Sequence, residues 1–450
     1  MITEAIDLLE NAKKVRIISH HDSDGIASAA IAKFTLERIG IPHEIIIKNQ
    51  LLPEDLVGSE GLVYWFNDLG SSKMDSMRNI RGIITDHHTP AIKDVEYKEN
   101  GNEIYQFNPH LEGIDGGISQ SGATTTFLFS LNVIGDVLGV SYLSVVGSLG
   151  DLHDKRHRKL VGTDREVMIL AQQSGLIEVL NDVRFFGRSS KAVAYMLRFG
   201  NDPKIPDLYD NPKKVYEILA KAGIEKEEGN KVTWLELDEE KRKIIIEEIK
   251  KIAKENGIEE ESIFGEVYEL KFEEKNSILR DVRDFTSVIN AASRRGHPEV
   301  GIDLCLFKRG ETLKRALELY NDHADVLRKA SKELEKIKPI NMGNIYLYDF
   351  SDSLDNNITG TIATRIATHH NLPEDAIVLV MANMGEYKKI SGRISSQLAE
   401  KLDLSDLMRA SAFDVGGSGG GHRNAAGALI PKGKEAEFLK KIYERLNFKP

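Results

Sequence analysis

Three short segments supply aspartates, two of them together with histidines, in patterns that suit a divalent cation: His20-His21-Asp22-Ser23-Asp24-Gly25, Asn67-Asp68-Leu69-Gly70 and Asp86-His87-His88. A fourth acidic segment, Gly150-Asp151-Leu152-His153-Asp154, lies further along. Hard divalent cations prefer carboxylate oxygens, and imidazoles among them shift the preference from magnesium toward manganese or another transition metal. A single aspartate of this kind is usually a solvated loop residue or a helix cap. Several that converge from separate strand ends are poorly explained that way. The segment Gly416-Gly417-Ser418-Gly419-Gly420-Gly421-His422-Arg423 reads as a loop. Without Cβ atoms, its backbone amides can approach a phosphate closely and form an anion-binding nest. Cys305, the one cysteine, has apolar neighbours and reads as a small core residue. It leaves no internal disulfide framework and no cysteine-based zinc site.

The elements that must carry these residues follow from the apolar pattern. Runs at 15–18, 44–47, 62–66 and 82–85 are short, rich in β-branched or aromatic residues and bounded by turns, and 24–39 has helical character. This alternation predicts an α/β fold with a doubly wound parallel sheet. Ligands in such sheets bind beyond the carboxyl ends of the strands, where His20–Asp24, Asp68 and Asp86–His88 fall. With 450 residues the chain exceeds what one core usually spans, so two or three domains are expected. Residues 185–340 turn mostly helical and strongly charged, and 311–337 could form one helix about 40 Å long at ~1.5 Å per residue. Strand and helix patterns at 344–350, 358–369, 376–381, 387–395 and 433–446 then restore an α/β rhythm.

No run approaches the ~18 apolar residues of a membrane span, and the N-terminus lacks a basic segment followed by an apolar one. The expectation is a cytoplasmic protein with no membrane association. A formal charge of −10 argues against a protein that coats nucleic acid by charge alone. It leaves a nuclease open, because bound cations neutralise a carboxylate cluster.

In order along the chain, His20-Xaa-Asp22-Xaa-Asp24-Gly25, Asp68, Asp86-His87-His88 and Gly150-Asp151 resemble the four motifs of DHH phosphoesterases. The glycine-rich segment 416–427 resembles the signature of the DHHA1 domain that accompanies them. The resemblance implies a DHH catalytic domain over 1–184, a largely helical insert over 185–310, a connecting helix over 311–340 and a C-terminal α/β DHHA1 substrate-binding domain over 341–450. It implies two divalent metal ions, Mn2+ in preference to Mg2+. His20 and Asp22 would bind one, Asp24, His87 and Asp151 the other, and Asp68 would bridge them. Asp86 would orient the histidines and His88 would contact the scissile phosphate, while His21 has no matching role. Ser391, Arg393, Gly419, Gly420, Gly421, His422 and Arg423 would bind substrate. Two metals can activate water and clamp both reacting oxygens, which fits the lack of a persuasive Ser-His-Asp or Cys-His arrangement.

Residues 279–296 and 150–166 are similar to segments of archaeal RecJ-like nucleases. That likeness implies an exonuclease on single-stranded DNA, with RNA as a further substrate, serving replication or repair beside a replication-complex or repair-helicase partner. The chain ends soon after the glycine-rich region, so strand grip is expected from the insert. Arg188, Arg280, Arg283, Arg294 and Arg295, with Phe185, Phe186 and Phe285, are candidates for it, each equally readable as a solvated or core residue. Two alternatives stay open: a phosphodiesterase for short oligonucleotides or cyclic dinucleotides, and a non-catalytic replication scaffold.

Overall fold

Neighbouring apolar residues on single strands, such as Ile17 and Ile18, Trp65 and Phe66, and Ile83 and Ile84, are all buried, as parallel strands covered on both faces require. In the computed structural model, which describes residues 2–351, 353–369 and 372–447, the chain divides into two compact units, Met1–Tyr320 and Asn321–Pro450. The first unit opens with α1 (Ile2–Glu10), β1 (Val15–His20), α2 (Ser23–Ile39), β2 (His43–Lys48), β3 (Val63–Asn67), β4 (Arg81–Thr85), β5 (Glu96–Tyr97) and β6 (Glu103–Phe107). These strands form one sheet in the order β2-β1-β3-β4-β6-β5, parallel except for β5. The order reverses between β1 and β3, which opens a crevice beyond their carboxyl ends.

Next come α3 (Gly122–Ile134), α4 (Tyr142–Gly150) and α5 (Gly162–Gln173). With α2 they cover one sheet face, packing Ile26, Phe127, Phe129, Val146 and Met168 into one core with Ile17, Trp65 and Ile83. The other face, with Ile18, Tyr64, Phe66 and Ile84, is closed by Leu51, Leu56, Met74 and Met77 from the connecting segments. The expected doubly wound parallel sheet is thus present.

The insert stands on a two-stranded stem that begins with β7 (Ile177–Val183). Its partner strand returns after α6 (Val193–Phe199), α7 (Pro212–Lys221), α8 (Lys226–Gly229) and α9 (Glu239–Glu255) as β8 (Phe264–Leu270), antiparallel to β7. Between the two strands, Phe185, Leu197, Ile218, Trp234, Ile245 and Ile249 build a separate core. Two further helices, α10 (Val282–Arg294) and α11 (Pro298–Cys305), rejoin the first core instead. The physical reason is the apolar stripe of α10, Phe285, Val288, Ile289 and Ala292, whose helical spacing presents one buried face. Residues 185–310 therefore hold two differently packed parts.

A buried ionic junction ties the stem together. Arg188, 2% exposed, bonds Asp281 at 2.6 Å and Asp182 at 2.7 Å and lies 3.3 Å from Glu269. Nearby, Asp284 accepts bonds from the Ser189 amide and hydroxyl and the Ser190 hydroxyl. Burial, and then the Asp281 charge, push the Asp284 carboxyl up to about 6. The folded chain therefore holds this proton more tightly than the unfolded one. Its contribution to stability is complete below the ordinary aspartate range near 3.8 and is lost as pH rises through about 6. Urea melts across that window should show wild type losing stability relative to Asp284→Asn; parallel curves would refute the assignment.

From α12 (Glu311–Leu334) the chain enters the second unit. That unit contains β9 (Ile340–Met342), β10 (Ile345–Asp349), α13 (Thr359–His369), β11 (Ile377–Met384), β12 (Tyr387–Arg393), α14 (Ser396–Lys401), α15 (Leu404–Phe413), β13 (Ser418–His422), β14 (Ala425–Pro431) and α16 (Glu435–Asn447). Its sheet runs β13-β14-β12-β11-β10-β9, with only β10 and β11 parallel. Met408 and Ala412 of α15 and Phe438 and Ile442 of α16 fill one face. Ile362 and Ile366 of α13 fill the other. The glycine-rich segment, expected as a loop, is the edge strand β13. Among the described residues no helix is long and apolar enough to cross a membrane.

Candidate metal centre

Each strand of the switch region delivers its polar residues through a specific local device. Asp22 caps α2 by accepting from the Gly25 amide at 3.1 Å, which turns the chain sharply after β1. One residue into the helix, the fully buried Asp24 accepts from the Gly122 and Ala123 amides at 2.7 and 2.8 Å, at the positive end of α3. Asp68 follows β3 in the left-handed region, at φ 56°, a conformation that aspartate and asparagine tolerate better than most residues. Two glycines make room. A Cβ on Gly147 would lie 2.1 Å from Asp24 Oδ1, and one on Gly122 would lie 2.7 Å from the Asp68 Cβ.

These devices bring all six expected ligands into two adjoining groups: His20, Asp22 and Asp68; and Asp24, Asp68, His87 and Asp151. Asp68 belongs to both. Its Oδ2 lies 3.3 Å from His20 Nδ1 and its Oδ1 lies 3.1 Å from His87 Nε2. His20 Nδ1 is also 2.9 Å from Asp22 Oδ2. The other nitrogen of His87 fixes its role. His87 Nδ1 lies 2.6 Å from the Gly116 carbonyl, which can only accept, so Nδ1 carries a proton and Nε2 is turned toward the carboxylates. Nε2 faces three carboxylates, at 3.1 Å from Asp68, 3.3 Å from Asp151 and 3.6 Å from Asp24.

Electrostatics distinguish the members. Burial, and then the charges of Asp68 and Asp151, push Asp24 well above the ordinary carboxylate range. Burial and then Asp22 raise Asp68 in the same way. Burial pulls His87 down, but the bonds and charges of Asp151 and Asp68 outweigh it and leave the imidazole well above its usual value. Both Asp68 oxygens are buried, and each faces an imidazole nitrogen. Mutually repelling carboxylates around an aimed imidazole nitrogen fit divalent cations, whose charge reverses this local logic.

Asp86 behaves differently. Its Oδ1 accepts from the His87 and His88 amides and lies 2.8 Å from His88 Nδ1, while Oδ2 accepts from the Ser71 amide. Burial raises its carboxyl, but His88 and then His87 hold it well below the ordinary range. Asp86 thus orients the His88 ring, whereas the Gly116 carbonyl orients that of His87. His88 keeps 19% of its side chain exposed, and His21 is buried against His20 with ring centroids 4.7 Å apart.

In the second unit, strand register sorts the expected substrate residues. Ser391 pairs with Gly427, which pairs with Gly420; Arg393 pairs with Ala425, which pairs with His422. Ser391, Arg393, Gly420 and His422 therefore share one face. There Ser391 bonds Thr359 and Arg393 donates to Thr364, both on α13. Gly419 and Gly421 alternate to the opposite face. A Cβ on Gly419 would meet the α15 backbone at 2.8 Å, so that glycine serves helix packing. Arg423 donates to the Ala399 and Glu400 carbonyls at the end of α14.

Several arginines expected to grip a strand are also committed elsewhere. Arg188 lies in the stem junction, Arg280 bonds Glu269 at 3.0 Å, and Arg283 bonds Asp154 at 2.6 Å. Phe185 and Phe285 are core residues, while Phe186 is 41% exposed. Sequence reasoning misses His153, Asp164 and the α3 amides. The small pair Gly122 and Ala123, directly after Ser121, is the available signal for a helix start that accepts a close carboxylate.

Comparison with known proteins finds similarity at both the sequence and the fold level. Residues 343–447 match the DHHA1 domain and residues 185–266 the DHH-CID domain. An uncharacterized protein of Methanocaldococcus jannaschii is 29% identical over 98% of this chain and 96% of its own length. The fold is similar to that of CDC45 from Entamoeba histolytica, with a TM-score of 0.64 at 13% identity over 98% of this chain and 97% of that one. It is also similar to RecJ in complex with Mn2+ from Thermus thermophilus, with a TM-score of 0.55 at 18% identity, covering 100% of this chain and 55% of that one. The chain thus carries a DHHA1 domain over residues 343–447 and a DHH-CID domain over residues 185–266, on a RecJ-like fold.

Proposed function

We propose that this protein is a metal-dependent exonuclease that hydrolyses the phosphodiester bonds of single-stranded DNA, with RNA as a further substrate. One divalent cation is held by His20, Asp22 and Asp68 and a second by Asp24, Asp68, His87 and Asp151. The observation that carries this reading is the double-sided placement of Asp68, with one oxygen toward His20 Nδ1 and the other toward His87 Nε2. Bound there, the cations supply Lewis acidity, activating water near neutral pH and neutralising charge on the phosphate. Among the protein groups, Asp24 is locked by the α3 amides and His88 is aimed by Asp86 with part of its ring open to a phosphate oxygen. The manganese bound by the Thermus thermophilus RecJ supports Mn2+ as the working ion, with Mg2+ as a substitute. Ser391, Arg393, Gly420 and His422 offer a face for the substrate backbone. Replication or repair, beside a protein partner, is the setting that suits such an activity.

The test is degradation of end-labelled single strands with added Mn2+ by wild type, Asp86→Ala and Asp151→Ala. Wild type is expected to degrade the strand only with the metal, and both variants to leave it intact. Equal degradation by all three would overturn the metal assignment. Turnover confined to dinucleotides and other short oligonucleotides would move the reading to a short-substrate phosphodiesterase.

A further inference from the structure

His153 has an environment that a packing residue does not explain. It is 1% exposed, and its Nδ1 lies 2.7 Å from Asp164 Oδ2. Its Nε2 is buried with no hydrogen-bond partner. A buried imidazole left half satisfied costs stability that an apolar side chain of similar size would not. Its ring centroid is 5.8 Å from that of His87, and ligand atoms of His87, Asp151 and His153 lie within 4.8 Å of one another. Atoms that share an ion at bond lengths of about 2.1 Å span at most about 4.2 Å, so a small inward movement completes the shell.

The backbone is bent to achieve this. Between Asp151 and His153, Leu152 has φ 61°, a conformation costly for leucine, and the residue is 52% exposed. The strain gains no packing for Leu152; its consequence is that both neighbours reach the same side. Asp164 is itself held by the Ser121 amide at 3.0 Å and the Thr124 hydroxyl at 2.6 Å. One residue on, the Gly122 and Ala123 amides hold Asp24. The start of α3 thus braces one ligand directly and His153 through Asp164, the carboxylate–imidazole pairing that fixes a ligand's tautomer.

We propose that His153 Nε2 is an additional ligand of the cation held by His87 and Asp151, with Asp164 as its positioning residue. The inference rests on the two-metal reading above. A second imidazole on that ion adds nitrogen character to this one position and favours manganese over magnesium there.

Mn2+ binding to the full-length chain, followed by calorimetry and by nitrogen modulation in pulsed electron paramagnetic resonance, tests it. Wild type should bind two Mn2+ per chain. His153→Gln should weaken one of them about 10- to 100-fold and reduce the nitrogen modulation. Asp164→Asn, which keeps the side-chain shape, should weaken the same ion to a lesser degree and provides the test if His153→Gln does not fold. Folded variants with two unchanged affinities and unchanged modulation would overturn the assignment of His153 while leaving the two-metal reading intact. Failure of wild type to bind Mn2+ would overturn both.

Discussion

Asp68→Asn is expected to abolish manganese-dependent hydrolysis while making the metal-free protein more resistant to heat. Residue 68 sits at φ 56°, where asparagine is as comfortable as aspartate, so the substitution tests charge with little backbone cost. In the metal-free chain the buried Asp68 and Asp24 carboxyls are both raised above their ordinary range, which means that their ionised forms oppose folding at neutral pH. An amide at 68 removes one of those charges and keeps a carbonyl oxygen that can accept from His87 Nε2, now 3.1 Å from Asp68 Oδ1. It cannot bridge two cations as a carboxylate does. Affinity for Mn2+ should fall by more than about 100-fold, beyond the usual loss of an outer partner. Added Mn2+ should raise the melting temperature of wild type and leave the variant unmoved, because ligand binding stabilises only a state that binds. Retained Mn2+-dependent cleavage by Asp68→Asn would remove Asp68 from the bridging role.

The second large effect lies in the stem junction. Arg188→Met should lower the unfolding free energy by about 3–5 kcal/mol in guanidinium melts, the usual cost of breaking a buried ionic cluster on one side. Burial alone would weaken the guanidinium's hold on its proton, but Asp281, Asp182 and Glu269 outweigh it and raise its pKa further. Without Arg188 those three carboxylates face one another, and Asp182 is left with the 2.8 Å bond from the Trp234 indole and one from the Val183 amide. Arg188→Lys should recover little, since an ammonium cannot reproduce the forked geometry that reaches Asp281 with one nitrogen and Asp182 with the other. Unaltered melts for the methionine variant would show that the cluster is dispensable.

These two residues mark what sequence reading reaches and where it stops. Asp68 is legible because a carboxylate directly after a buried strand of an α/β sheet has a predictable location, whatever lies between the strands. The same rule locates His20, Asp22, Asp24 and His87. Arg188, Arg280 and Arg283 pass for strand-binding groups because an arginine next to aromatic residues looks the same in one dimension whether it meets solvent or buried acids. Their partners, Asp281, Glu269 and Asp154, come from remote segments. The glycine-rich segment misleads for a related reason. Glycines suggest turns, but Gly419 is required by the proximity of α15, a contact between elements that no local pattern carries. His153 stands inside a recognised motif without a role, since its partner Asp164 is supplied by α5.

The β7–β8 stem has a consequence for the order in which the chain assembles. Val183 and Phe264 are paired neighbours although the whole helical insert lies between them. Once the insert has collapsed on its own core, the long detour between α5 and α10 shrinks to the width of a strand pair. The loop-closure entropy that would otherwise oppose docking of α10 onto α4 is then largely removed. Folding of the insert therefore acts as a clamp that speeds completion of the first core.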